Sequence, residues 1–332
     1  MKEILFRSNG GLGKQISATI VAKQLRFKYP DAIIHVQTSY PDPFYNLNVV
    51  NKYYPMNPIP YFYDEHKNFE IVETEPYLDM SYRNGEKHLV DVWCERLGLE
   101  IPKEKAGQLL LDDEEKAYAK SLALQLKLDR PLVAIQIAGG TSHYEPQKAN
   151  DPFRTKHYRD LKIEIAQELV NKLVQSGIGA VLQIRLPTEP KLENCLHLPD
   201  NEITGTRRLF AILDMCKYGI FIDSFCQHAW AALGKSNAIV LWGGTNPVNL
   251  GYLSNKNLIN KKSCDNLHCN RPNTFVHDFV GNGTFWKCPF SAKCMDFSSE
   301  RIMSNFQTIV EEEKKKEEAQ TKPKKVHIPE VI

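Results

Sequence analysis

The chain has 332 residues, 42 % hydrophobic and 25 % charged, with 42 Lys and Arg against 40 Asp and Glu and a formal net charge of +2. This is a globular composition, which excludes a disordered or fibrous chain. The length points to two domains, since one core stops growing near about 250–300 residues. The near-zero charge lacks the basic surplus of a nucleic-acid binder; it disfavours that partner while leaving a local basic groove open. No stretch reaches the roughly 18–20 apolar residues of a membrane span, and the few apolar residues after Met1-Lys2-Glu3 are too short for a signal peptide. The expectation is a cytoplasmic protein, with a peripheral place at the inner face of the membrane left open.

Glu3 to Arg7 reads as a short buried strand, Ser8 to Gly13 as a turn, and Lys14 to Tyr29 as a helix with Ile16, Ile20, Val21 and Leu25 along one side. Pro30-Asp31 ends it and Ala32 to Gln37 is a second strand, so the chain opens as a parallel β-α-β unit. Tyr40 to Met80 is rich in Tyr, Pro and Asn and reads as loops and short strands along a cleft. Residues 86–98 form an amphipathic helix ended by Gly98, and Leu109 to Leu111 reads as extended. Asp112 to Glu115 makes an acidic first turn, which suits the positive end of a helix, and that helix runs to about Leu128. Pro131 to Ala138 is a continuous apolar strand of the kind buried in a parallel sheet. A second series follows: helix 157–176, strand Gly179 to Ile184, helix Arg207 to Lys217, strand Tyr218 to Ile222, helix 226–233 and strand Ala238 to Trp242. Two such series describe an α/β protein with two Rossmann-like halves. They divide as residues 1–125 and 126–310, leaving 311–332 as a charged tail, a fraying helix that becomes disordered.

Three turns carry candidate chemistry. Gly10-Gly11-Leu12-Gly13-Lys14 follows the first strand; glycines there let backbone approach a ligand, and the helix start favours an anion. It is neither a Walker A loop nor GxGxxG, and a purely structural turn fits it equally. Asp223-Ser224-Phe225-Cys226-Gln227-His228 sits at the carboxyl end of a buried strand, where open α/β sheets bind ligands. Asp223 and Ser224 fit a helix cap, free amides beside them fit a diphosphate, and His228 lies one turn in. Gly243-Gly244-Thr245-Asn246-Pro247 is a βα turn that fits a second loop on the same ligand.

Asp-Ser-Phe-Cys-Gln-His-Ala-Trp-Ala-Ala-Leu-Gly followed by Gly-Gly-Thr-Asn-Pro resembles the D-[ST]-G-x-x-H-x-A-A-A-L-G … G-x-T-x-P signature of glycosyltransferase family 9, which includes the ADP-heptose:lipopolysaccharide heptosyltransferases. The similarity runs along most of the chain. GGLGK matches the family's S-x-L-G-D loop in position, HLVDVWCERLGL its helix before the domain junction, AIQIAGGT its H-P-G-A-S loop, and TRRLFAILDMCKYGIFID its helix and strand before the signature. The segment around Cys294-Met295 is similar to its C-terminal C-M-x-x-I-x-P-E-x-V.

The resemblance implies a GT-B fold, two Rossmann-like domains facing across a cleft, with the acceptor on the N-terminal side and a nucleotide-diphosphate sugar on the C-terminal side. It implies an inverting, heptosyltransferase-like enzyme that needs no metal or other cofactor and acts on a glycan or glycolipid. Carried over position by position, Asp223, Ser224, His228, Gly244 and Thr245 bind the donor. Arg154 or Lys148 stands for the family's phosphate-binding cation, and Glu189 for its ribose carboxylate. Gly11, Gly13, Gly139, Gly140 and Thr141 lie in the loops near the cleft. Two departures stand out. Lys14 replaces the family's catalytic Asp, and a lysine accepts no proton unless burial strips its charge; it suits an acceptor or phosphate contact, and Asp42 is then the candidate base. Phe225 replaces the signature glycine.

Of eight cysteines, Cys94, Cys195, Cys216 and Cys226 read as buried hydrophobes. Cys264, Cys269, Cys288 and Cys294 are spaced more loosely than the CxxC pairs of zinc sites; thiols pinning a loop, a disulfide or a metal site all fit, and no metal is expected. Two other readings remain: a transferase acting on modified DNA bases, and a non-catalytic nucleotide-sugar-binding protein that has lost its base.

Overall fold

The computed structural model describes residues 2–57, 59–139, 159–187, 189–198, 205–261, 264, 267–268 and 292–321. In chain order the elements are β1 (Glu3–Ser8), α1 (Leu12–Lys28), β2 (Ile33–Thr38), β3 (Lys52–Pro55), α2 (Phe62–Glu65), β4 (Glu70–Glu73), α3 (Met80–Arg83), α4 (Leu89–Arg96), α5 (Asp113–Gln125) and β5 (Leu132–Ile135). Then come α6 (Ile163–Gln175), β6 (Ala180–Gln183), β7 (Leu196–His197), α7 (Thr206–Met215), β8 (Tyr218–Ile222), α8 (Phe225–Ala232), β9 (Ile239–Trp242), α9 (Pro247–Leu250), β10 (Lys256–Ile259) and α10 (Ser299–Thr321).

Every strand pairing is parallel. The first sheet has order β3-β2-β1-β4 and the second β10-β9-β8-β5-β6-β7. In both, the chain winds outward one way and then reverses, so a crevice opens at the carboxyl ends of the strands flanking the reversal. That places the first crevice at the ends of β1 and β4, and the second at the ends of β5 and β8. The expected α/β architecture of two Rossmann-like sheets is therefore present. β10, with its exposed Lys256, and the two-residue β7 are edge strands that no strong apolar run announces.

Helix α1 is buried on nearly all sides, including Lys14, Gln15, Ser17, Thr19 and Gln24. An apolar stripe would suit a helix with one wet face; α1 instead lies between the first sheet and the second half of the chain, packing on α8 and α4. Some of its polar side chains find partners, although Gln15 Nε2 has none among the described residues. Gln15 Oε1 accepts from the Thr38 hydroxyl at 2.7 Å, and Thr19 donates to the Ile16 carbonyl at 2.7 Å. Thr19 also accepts from the Gln108 amide at 2.8 Å, which ties the segment ahead of α5 onto α1. That segment, expected to be extended, joins no sheet; Leu109 donates its amide to the Ala232 carbonyl at the end of α8.

Three boundaries differ from the sequence reading. Helix α5, started by a reciprocal Asp112–Glu115 capping box, packs on α7, and its Leu122 joins the core of Leu132, Leu182 and Phe210. It goes with the second sheet, although its residues fall within the expected first domain. Helix α6 begins at Ile163, six residues later than its expected start at 157, because the stretch before it is held extended: Leu161 donates to the Ile137 carbonyl at 2.9 Å and Asp160 accepts from the Gly139 amide at 3.0 Å. Helix α10 continues through 311–321, the first part of the stretch expected as a fraying helix that becomes disordered; residues 322–332 lie outside the described residues. A Lys217–Glu317 ion pair at 2.8 Å and an Asn237–Glu313 hydrogen bond pin it to the second half.

A Cβ at Gly107 would overlap the Ile16 carbonyl oxygen and come within 2.7 Å of Thr19 Oγ1. Gly107→Ala is expected to destabilise the protein by about 1–3 kcal/mol, read as a lower urea midpoint at unchanged slope; an unchanged midpoint contradicts the clamp.

Candidate functional site

A cleft of about 460 Å³ opens where the two crevices meet. From the first half it is lined by Gly11 to Lys14, Tyr40 after β2 and Tyr77 after β4. From the second it is lined by Gln136, Ala138, Arg159, Ile184 to Leu186, Glu189, Leu209 and the junction residues Asp223, Ser224, Phe225 and His228. The structure thus gathers Gly11, Gly13, Lys14, Glu189, Asp223, Ser224 and His228 from the sequence-predicted set. Gly139, behind Ser224, stands just outside the lining; a Cβ there would lie 3.3 Å from Ser224 Oγ. Gly140, Thr141, Lys148 and Arg154 lie outside the described residues.

The buried strand β8 delivers Asp223, 2 % exposed, and α8 starts two residues later. Ser224 is the N-cap residue, but its hydroxyl does not cap the helix; it accepts from Gln136 Nε2 at 3.2 Å. The first-turn amides of α8 therefore keep the partial positive charge of a helix start, the arrangement that receives phosphate. Arg159 Nη1 donates to the Asp223 carbonyl at 3.3 Å. Its buried Nε, and Asp223 Oδ2, have no partner among the described residues. Leaving a buried donor or acceptor unmet costs about 1–3 kcal/mol, so such atoms at a cleft point to a ligand that would satisfy them.

His228 is fixed on both nitrogens. Nδ1 lies 2.7 Å from the Tyr252 hydroxyl, and Nε2 lies 3.2 Å from Gln227 Nε2. Gln227 Nε2 also donates to the Leu250 carbonyl at 3.0 Å, which identifies it as nitrogen. His228 Nε2 is then the acceptor and Nδ1–H the donor. Burial pushes the imidazole down to about 4, outweighing the opposite pull of Asp223, so the ring is neutral at pH 7. Its edge meets α1: a Cβ on Gly13 would stand 2.6 Å from His228 Cδ2.

The far wall is built after β6. Glu189 is buried and accepts from the Leu186 amide at 3.0 Å through Oε2. Burial raises its carboxyl to about 7, against the lowering effect of that amide. Arg185 Nη1 donates to the carbonyls of Leu186, Pro187 and Glu189 and so stiffens the same turn. With Ile184, Leu209 and Phe225, this wall has the apolar faces and single buried carboxyl that suit a nucleoside.

On the first half, Gly10 takes a φ of +129°, which glycine tolerates, and the Ser39 hydroxyl donates to its carbonyl at 2.7 Å. Lys14 Nζ pairs with Glu75 Oε2 at 2.7 Å, and lies 5.1 Å from the Tyr77 ring centre and 5.3 Å from that of Trp93. Burial raises the Tyr77 phenol, and the same group feels Asp223 and Arg159 from the second half as well as Glu75 from the first.

No family model and no curated protein matches the chain. Solved structures do. A glycosyltransferase family 9 protein from Veillonella parvula superposes with a TM-score of 0.63 at 12 % identity, covering 94 % of this chain and 97 % of that one. The ADP-heptose lipopolysaccharide heptosyltransferase II of E. coli gives 0.61 at 14 %, over 95 % and 100 %. The dodecameric iron-containing heptosyltransferase TibC of enterotoxigenic E. coli, solved with ADP-D-β-D-heptose, gives 0.60 at 11 %, over 94 % and 78 %. The chain has the GT-B fold of these enzymes.

Within the GT-B frame several expectations move. Asp42 opens a single helical turn outside the cleft lining, and its carbonyl accepts from Arg207 Nη1 at 3.1 Å; its backbone braces the two halves. Gly244 and Thr245 do not line the cleft. Helix α9, which follows their loop, runs against the first half: Asn249 Nδ2 donates to the Tyr82 and Lys87 carbonyls at 2.9 and 2.8 Å and ties the halves together. Cys94, Cys216 and Cys226 are buried as expected and Cys195 is half-buried; burial lifts the thiols of Cys94 and Cys216 to about 12 and that of Cys195 to about 11. Cys294 is buried against the second core and Cys264 is half-buried; Cys269 and Cys288 lie outside the described residues. Among the described residues, no cluster of His, Cys, Asp and Glu is arranged to hold a metal, and no helix is long and apolar enough to cross a membrane. Arg159, Tyr77, Glu75 and Tyr252 are cleft or supporting residues that the sequence reading did not single out.

Glu189 yields a pH prediction. Its folded value of about 7 lies above the ordinary 4.5. The folded state therefore holds the proton more tightly, and stability is lost as pH rises from 4.5 to 7. Urea midpoints of the parent and Glu189→Gln, measured across that window, should diverge in favour of the variant and run parallel above it. A parent that gains on the variant as pH rises contradicts this.

Proposed function

We propose that the protein is an inverting glycosyltransferase, moving a sugar from a nucleotide-diphosphate donor to a hydroxyl of a saccharide or glycolipid. One observation carries the reading: the uncapped start of α8 meets one cleft together with Arg159 and Asp223, whose Nε and Oδ2 have no partner among the described residues. The α8 amides and Arg159 would hold the diphosphate, Asp223 a hydroxyl of the donor sugar, and Glu189 the ribose, with the nucleobase against Phe225 and Leu209. The acceptor would enter from the side of Lys14, Tyr40 and Tyr77. Its oxygen attacks the anomeric carbon from the face opposite the diphosphate, which inverts that centre. Charge then grows on the departing diphosphate, where preorganised amides and a cation stabilise it most.

In this reading positive charge at the leaving group comes from Arg159 and the helix start, so transfer should persist in a chelator. The E. coli neighbour acts on lipopolysaccharide by its name; a glycolipid acceptor here would bring the protein to the cytoplasmic face of a membrane. A purely binding role would follow from Lys14 in place of a base, but Lys14 is paired with a carboxylate, Glu75, on the same side.

Calorimetric titration with UDP, GDP, ADP and CMP sugars tests the reading. One nucleotide class should bind, and Arg159→Ala or Asp223→Ala should weaken it by about tenfold to a hundredfold, as expected for losing a hydrogen bond to a charged group. Absence of binding throughout the panel, or variants that bind as the parent does, contradicts it.

A further inference from the structure

We propose that Glu75 is the catalytic base and that Lys14 is the positioning residue that holds it. This rests on the glycosyl-transfer reading above. The departing diphosphate belongs to the α8 side, so the acceptor proton must be taken on the opposite side, by a group that is an acceptor itself. Lys14 cannot serve, because an ammonium offers three donors and no acceptor. Asp223 lies on the donor side beside Arg159. Glu189 is bonded into the turn of the far wall.

Glu75 meets the requirement. It follows β4, at the crevice of the first sheet, and its side chain is 43 % exposed. Glu75 is itself outside the lining, but it is bonded to two residues that line the cleft, Lys14 and Tyr77. Two bonds fix the carboxylate: Oε2 accepts from Lys14 Nζ at 2.7 Å and Oε1 from the Tyr77 amide at 3.2 Å. The Lys14 side chain is itself only 3 % exposed and sits near the rings of Tyr77 and Trp93. Each carboxylate oxygen keeps a second lone pair toward solvent or substrate. A buried ammonium with a single carboxylate partner is a costly pairing, and aiming a base is a function that justifies it.

The step balances. The acceptor O–H proton passes to Glu75 as the acceptor oxygen bonds to the anomeric carbon. The bond from that carbon to the diphosphate oxygen breaks, and its electron pair leaves on the diphosphate. Glu75 then returns the proton to water.

The test measures release of nucleoside diphosphate from the same donor panel, with water or a saccharide as acceptor. Glu75→Gln should lower kcat at least a hundredfold and leave donor Kd within twofold, while Glu75→Asp keeps part of the rate. If the unpaired Lys14 of Glu75→Gln prevents folding, Lys14→Met is compared with the Lys14→Met/Glu75→Gln double variant; the second change should cost a further tenfold or more. Turnover that survives the loss of Glu75 in either comparison overturns this inference alone. Absence of turnover by the parent with every donor overturns the transferase reading, and this inference with it.

Discussion

The close approach of α1 to α8 is the contact on which the site depends. Gly13 has no side chain, so the start of α1 lies directly on the His228 ring, and any Cβ there would intrude to 2.6 Å. The ring cannot step aside, because Tyr252 and Gln227 hold both its nitrogens. Two sheets with separate crevices are thereby brought to one cleft. Two helix starts, α1 and α8, then face the same space, and neither carries a side-chain cap. Uncapped starts are a cost in a folded protein unless water or a ligand meets the amides; here that cost falls where an anion would meet it.

Electrostatics divides the cleft into unlike regions. At the β8–α8 junction an arginine and an aspartate keep atoms without partners among the described residues. In the far wall Glu189 is lifted by burial to about 7. At the first half a lysine is spent on Glu75 rather than left free for phosphate. His228, between them, is neutral at physiological pH and holds shape instead of charge. A few placed charges thus suffice at a diphosphate, and the chain-wide balance of +2 needs no surplus to supply them.

Much of the frame was legible in the sequence. The strand, glycine turn and helix at the start, the apolar strand at 131–138 and the βα series after it carry clear periodicities, and Asp223, Ser224 and His228 sit at fixed offsets within one turn and helix. What escaped was long-range. Nothing in the 40–80 segment marks Glu75 or Tyr77, because their partners, Lys14 and the second half, lie far away in the chain. Arg159 was hidden by a helical pattern that begins earlier than the helix does; bonds to Asp160 and Leu161 keep that stretch extended. Helix α5 reads as a good helix wherever it packs, so its place on α7 could not be seen. After the Gly243 to Pro247 turn, the bonds of Asn249 in α9 to the first half were likewise long-range and unmarked in the sequence.

A co-crystal structure with a nucleoside diphosphate tests the central claim most directly. The account predicts the two phosphates on the first-turn amides of α8 with Arg159 Nε bonded to them, the ribose at Glu189 and the base against Phe225 and Leu209. A diphosphate seated elsewhere, with Arg159 and the start of α8 unengaged, would contradict it.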